Sequence, residues 1–283
     1  MSTLSLRLGS GAITVSGKLR LRYLSWEATD ARAAVVVVHG LAEHAGRYDR
    51  LGRYLAQAEI STFALDLRGH GRSEGRRGHV PSFGTFLQDL DRFRREVRGL
   101  VDPQTPLFLL GHSMGGLIAL RYQQEYAGAF SGLIALSPWL ATAVRVPRWK
   151  ITLANTLNRV LPSLPFRARL RSEQLTHDVR MQRAHDDDPL VHDIITPRLF
   201  VEVSSAMGTV FQRIDRLRSP ALFLLAGADP LVDTERSVAF AQSLASREVT
   251  WRVYPGYYHE LLNEAKAGPV YRDLRSWLTA RLT

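Results

Sequence analysis

Pro106-Leu107-Phe108-Leu109-Leu110-Gly111-His112-Ser113-Met114-Gly115-Gly116 is the stretch on which the reading of this chain turns. A short apolar run leads into a serine with glycines two positions either side. Leu117-Ile118-Ala119-Leu120-Arg121-Tyr122-Gln123-Gln124-Glu125, a helix-forming run, follows. A buried strand, G-x-S-x-G and a helix together make a turn so sharp that the serine backbone is strained and its bracketing neighbours must be small. That turn lifts the Ser113 hydroxyl clear of the sheet edge and aims the N–H of Met114 at a reacting carbonyl. Ser113 is therefore the candidate nucleophile.

Outward from this turn, the same apolar signature recurs. Ala34–Val38, Ser61–Leu65, Leu107–Leu110 and Leu133–Leu136 are continuous apolar runs, as expected of parallel strands covered on both faces. Ala221–Leu225 and Thr250–Tyr254 add two late strands, and Ala12–Val15 with Leu19–Leu24 reads as an opening hairpin around Ser16-Gly17. Helical patterns lie between them, near Tyr48–Ala58, Ser82–Gly99, Met114–Tyr126, Thr234–Leu244 and Pro269–Leu282. The alternation predicts an α/β fold with a doubly wound, mainly parallel sheet. The rhythm breaks over 138–205, a proline-bearing and mostly helical stretch between the sixth and seventh strands. An insertion there lies over the C-terminal strand ends, where α/β sites form. The chain is thus expected to have a core of residues 1–137 and 206–283 and a helical cap of residues 138–205.

A serine hydroxyl is a poor nucleophile at neutral pH and needs a base, itself oriented by an acid. In this arrangement the acid follows the seventh strand and the histidine the eighth. Asp229 lies just beyond Ala221–Leu225, and His259 just beyond Thr250–Tyr254. Asp233 is the rival acid, but it precedes Thr234-Glu235-Arg236 and suits a helix N-cap. Acyl transfer also needs an oxyanion hole. Met114 offers one N–H, and Leu41, in His39-Gly40-Leu41-Ala42-Glu43-His44 after the third strand, offers the other.

The bulk composition agrees with an ordinary globular protein: 283 residues, 45% hydrophobic and 23% charged. The absence of cysteine rules out disulfides and thiolate chemistry. A net charge of +10 invites a nucleic-acid reading, yet no zinc finger, recognition helix or aromatic-basic RNA signature accompanies it, so no nucleic-acid partner is expected. No run of about eighteen apolar residues suggests a membrane span. The first ten residues lack a secretory signal, so a cytoplasmic location is expected.

Three segments together carry a family resemblance: His39-Gly40-Leu41-Ala42-Glu43-His44-Ala45-Gly46-Arg47-Tyr48, Asp66-Leu67-Arg68-Gly69-His70-Gly71-Arg72-Ser73 and Gly111–Gly116. With the acid loop Ala228–Asp233, the histidine loop Tyr258–Glu264 and Asp188–His192, the chain resembles the monoacylglycerol lipase and lysophospholipase branch of the α/β-hydrolases, from about residue 20 onward. The resemblance implies Ser113, Asp229 and His259 as the triad, Leu41 and Met114 as oxyanion donors, a glycerol ester as substrate and no metal or organic cofactor. Glu43, His44 and Arg47 are then expected to brace the oxyanion loop, Asp66, Arg68 and His70 to hold the turn after the fourth strand, and Asp186–Asp188 to be a solvated or cap-bracing loop.

Trp139 to Arg171 holds seven basic residues, Arg145, Arg148, Lys150, Arg159, Arg167, Arg169 and Arg171, and no acid. Apolar residues, Trp149 among them, interleave. Such a segment either rests on an anionic membrane surface or packs its apolar side on the core. For function, the leading expectation is a serine carboxylester hydrolase acting on monoacylglycerols or related lipid esters. A small-ester esterase, lysophospholipase or peptidase on the same scaffold is the alternative, and a non-catalytic binding fold a remote one.

Overall fold

In the computed structural model, residues 6–168, 170–244 and 248–282 are described. Strands β1 (Leu6–Thr14) and β2 (Arg20–Ala28) form the opening hairpin, antiparallel and in register from Leu6↔Ala28 to Thr14↔Arg20. It is longer than its alternating sequence suggests. Next come β3 (Ala33–Val38), α1 (Asp49–Ala56), β4 (Ile60–Leu65), α2 (Phe83–Leu100), β5 (Leu107–His112), α3 (Met114–Glu125) and β6 (Gly132–Leu136). The inserted region contributes α4 (Arg148–Val160), β7 (Phe166–Arg167), α5 (Val179–Asp186), β8 (Ile194–Ile195) and α6 (Pro197–Gln212). β9 (Ala221–Ala226), α7 (Thr234–Ser243), β10 (Val249–Tyr254) and α8 (Gly268–Thr279) complete the chain.

Eight strands form one sheet in the order β1-β2-β4-β3-β5-β6-β9-β10, parallel from β4 through β10. The continuous apolarity of β3 is explained by its two packed faces. Ala34, Val36 and Val38 join the cluster under α2, α3 and α6, while Ala33, Val35 and Val37 join the one under α1 and α8. From β3 the chain winds outward to β4, then returns to place β5 on the other side of β3. A crevice opens at this reversal, beyond the carboxyl ends of β3 and β5.

The inserted region is not wholly helical: Phe166–Arg167 and Ile194–Ile195 pair as a two-stranded antiparallel ribbon. Two residues per strand leave no periodicity for a sequence reading to detect. The boundary drawn at 205 falls inside α6, whose Leu199, Val203, Ala206 and Val210 are buried in the main core. Helix α4 is different. None of its residues is buried.

Candidate active site

Ser113 closes the turn between β5 and α3 at φ 53° and ψ −118°, a left-handed conformation that costs an L-residue about 1–3 kcal/mol. The glycines around it permit nothing larger. A Cβ on Gly111 would lie 2.3 Å from the Gly115 carbonyl oxygen, and one on Gly115 would lie 2.1 Å from that of Val38. Ser113 N–H donates to Leu136 O at 3.0 Å, and its own carbonyl accepts from Leu117 and Trp139. Helix, neighbouring strand and following loop therefore all hold the strained residue.

His259 lies beyond β10 and is buried. Its Nδ1 sits 2.7 Å from Asp229 Oδ2, while Asp229 Oδ1 accepts from the N–H groups of Leu231 and Val232 at 2.9 and 3.0 Å. Burial alone would raise the Asp229 pKa, but the imidazole and the two N–H donors hold it below the usual carboxylate value. An ionised carboxylate only accepts hydrogen bonds, so it fixes a proton on His259 Nδ1 and turns Nε2 to the other side of the ring. Asp233 does something else: its Oδ1 accepts from Arg236 N–H at 2.9 Å and caps α7. Of the two rival acids, Asp229 is the one brought to His259.

Met114 opens α3, so its N–H is one of the donors a helix N-terminus leaves without an intrahelical partner. Leu41 follows Gly40 in a loop whose Ala42 adopts φ 70°. Gly40, Leu41, Ser113 and His259 all line one cavity of about 530 Å³, with a largely apolar wall that includes Trp139, Phe200 and Val232.

One side of the cavity is a buried polar network, with Glu43, His112 and Glu260 in the lining, that is broader than the sequence suggests. Glu43 Oε1 accepts from Gly40 N–H at 2.5 Å and Tyr48 Oη at 3.2 Å, and lies 2.8 Å from His112 Nδ1. The opposite ring nitrogen of His112 donates to the His259 carbonyl at 3.3 Å. Arg47 lies between Glu43, at 3.6 Å, and Glu260, at 2.6 Å. Burial disfavours charge on His112, yet Glu43 and Glu260 raise its pKa above the ordinary value, and each ring nitrogen faces an oxygen acceptor. Glu43 is held well below the carboxylate range despite its burial, chiefly by His112 and Arg47. His112 and Glu260 had no separate sequence signal. The one available hint was position, since each adjoins a candidate catalytic residue.

The expected bracing residues are also engaged. His44 Nε2 contacts Asp188 Oδ2 at 2.8 Å, and Ala42 O accepts from His192 N–H at 3.1 Å, tying the oxyanion loop to the inserted region. Asp66 accepts from Ala45 and Arg72 N–H groups, and Arg68 chelates Asp89. Asp186 accepts from Ser172.

The sequence model of the family described as serine aminopeptidase, S33, matches residues 29–266. The chain belongs to this family. Its fold is that of the α/β-hydrolases, as the motifs implied. The chain is 34% identical to the monoacylglycerol lipase of Mycolicibacterium smegmatis, over 94% of its own length and 95% of that protein. It is 32% identical to the human monoglyceride lipase, over 90% and 86% of the two chains. The crystal structure of Paleococcus ferrophilus monoacylglycerol lipase superposes with a TM-score of 0.83 at 29% identity, covering 98% of this chain and 99% of that one.

Proposed function

We propose that the protein hydrolyses monoacylglycerols and related lipid esters, with Ser113 as nucleophile, His259 as general base and acid, and Asp229 as the orienting carboxylate. The observation that carries this reading is the convergence of Ser113, the Asp229-held His259 and the Gly40–Leu41 loop on one largely apolar cavity. Ser113 Oγ attacks the ester carbonyl as its proton passes to His259 Nε2. The N–H groups of Leu41 and Met114 stabilise the oxyanion. Collapse of the tetrahedral intermediate breaks the C–O bond, and His259 returns the proton to the departing glycerol oxygen. Water, deprotonated by His259, then releases the fatty acid and restores Ser113.

Peptidase action fits the cavity less well. An aminopeptidase must hold a substrate ammonium with a free carboxylate, whereas Glu43 and Glu260 are already engaged by Arg47, with His112 also on Glu43 and Asn263 on Glu260. Lys150 and Arg167 add positive charge to the cavity lining. A hydrolysis panel of monoacylglycerols, lysophospholipids, short esters and aminoacyl amides tests the proposal. Monoacylglycerols should give the highest kcat/KM; preference for the amides would assign a peptidase.

The site is further proposed to work at an anionic membrane surface through the segment around α4. Supporting this, Val144, Trp149, Leu153, Val160, Leu161, Leu164 and Phe166 are exposed beside Arg145, Arg148, Lys150, Arg159 and Arg167. Arg169 lies outside the described residues. No helix among the described residues is long and apolar enough to cross a membrane, so contact of this kind is peripheral.

A further inference from the structure

We propose that the cavity holding Ser113 opens into a second acyl chamber, and that Phe200 governs passage between the two and so sets the acyl-chain length the enzyme prefers. The inference rests on Ser113 being the acylated residue. A separate cavity of about 350 Å³ lies against the first, and Trp139, Thr142, Val146 and Phe200 line both. These four side chains are the partition. Beyond it, Ile151 of α4 and Val203, Ser204 and Met207 of α6 form the wall, with Arg145 beside them. Among the described residues no carboxylate or imidazole lines this second space, so what they offer is chiefly apolar contact.

The partition has a fixed half and a yielding half. Trp139 N–H donates to the Ser113 carbonyl at 3.0 Å, and Thr142 is bridged to Val232 while Ala143 N–H donates to Leu231 O at 3.0 Å. Trp139 and Thr142 are therefore fastened to the nucleophile and to the acid loop. Val146 lies beyond that anchorage, in an irregular stretch before α4 where Val144 is 72% exposed. Phe200 stands on a firm base, since its neighbours Leu199 and Val203 are buried in the core, but its own side chain is only partly buried. Rotation of one phenyl ring, with a shift of Val146, joins the two spaces without disturbing the core.

An acyl chain on Ser113 begins next to Trp139. Its first methylenes occupy the catalytic cavity, and a longer chain must either emerge toward solvent or cross the partition. Each methylene taken out of water strengthens binding about fourfold, so crossing is the favoured course for a long chain. A short chain is housed within the catalytic cavity and has no need to cross the partition.

The chain has no cysteine, so Ser204→Cys introduces a single thiol, at an exposed position on the far wall of the second chamber. This variant is treated with p-nitrophenyl alkylphosphonates bearing a butyl or a hexadecyl chain. Ser113 Oγ forms the P–O bond and p-nitrophenolate departs, and the adduct is verified by mass. Maleimide labelling should then proceed at the unmodified rate in the butyl adduct and at least tenfold more slowly in the hexadecyl adduct. Equal rates in both adducts would overturn the second chamber alone. A mass unchanged by either phosphonate would instead refute Ser113 as the nucleophile, and with it this inference. As a second readout, Phe200→Trp should lower the ratio of kcat/KM for 16-carbon over 8-carbon monoacylglycerols about tenfold. An unchanged ratio contradicts the gate.

Discussion

Asp229 and Asp233 stand four residues apart in one loop and meet very different surroundings. Asp229 faces His259 and two backbone donors with its side chain buried, while Asp233 caps a helix at the surface. Asp229→Asn should lower kcat roughly 10⁴-fold, the cost of the equivalent change in a serine-protease triad, because the imidazole tautomer is no longer enforced. Asp233→Asn should retain nearly full activity, since asparagine caps helices about as well. Steady-state kinetics of the two variants decide between them, and the reverse order would make Asp233 the acid. Much at this scale was legible in sequence, because a nucleophile turn demands glycines where Gly111 and Gly115 stand. The link from Glu43 through His112 to the His259 carbonyl was not legible. It joins the loop after β3, the last residue of β5 and the loop after β10, which only the folded sheet brings together.

The core strands announced themselves as elements because a strand packed on both faces must be apolar, as β3, β6 and β9 are throughout and β5 is until its last residue, His112. The inserted region gave no such signal. The β7–β8 ribbon is too short to carry a period, and α6 belongs at once to the insertion and to the main core. Helix α4 exposes both its apolar and its basic residues, a pattern that composition alone does not distinguish from core packing. If this helix rests on lipid, binding to anionic vesicles should exceed binding to neutral ones and weaken with salt, since each basic side chain near the surface contributes about 1 kcal/mol. Replacing Arg145, Arg148 and Lys150 with glutamine should reduce vesicle binding by on the order of 10²-fold. Flotation with vesicles of the two compositions provides the measurement, and equal binding to both would leave the charge as surface solvation.

Taken as a whole, the molecule couples the inserted region to the hydrolase core through a row of histidines, His39 and His70 buried and His192 half-buried. The His70 ring lies 5.2 Å from that of His39, which precedes the oxyanion loop, and 4.8 Å from that of His192. Burial, aided by Arg77 and His39, depresses the His192 pKa to about 4, and burial likewise lowers that of His70. A histidine is neutral in such a fold but takes up a proton near pH 6.5 once unfolded. The unfolded state therefore binds more protons between about pH 6.5 and 4, and stability falls as pH drops through that window. Thermal melts across this range should show a declining Tm, and His192→Asn should flatten the decline in part, with His70, His39 and His79, whose pKa values burial also lowers, contributing to the remainder. A parallel decline in variant and parent would exclude His192 from the effect.

In the proposed mechanism one serine, presented by a strained turn between β5 and α3, carries ester hydrolysis. Ser113→Ala tests it most directly, with fatty acid release from a monoacylglycerol measured on purified protein whose circular dichroism and Tm match the parent. Loss of a triad nucleophile costs on the order of 10⁶-fold in turnover in a serine protease, so release should fall to the background of the assay. Turnover within tenfold of the parent by the folded variant would mean that Ser113 is not the nucleophile.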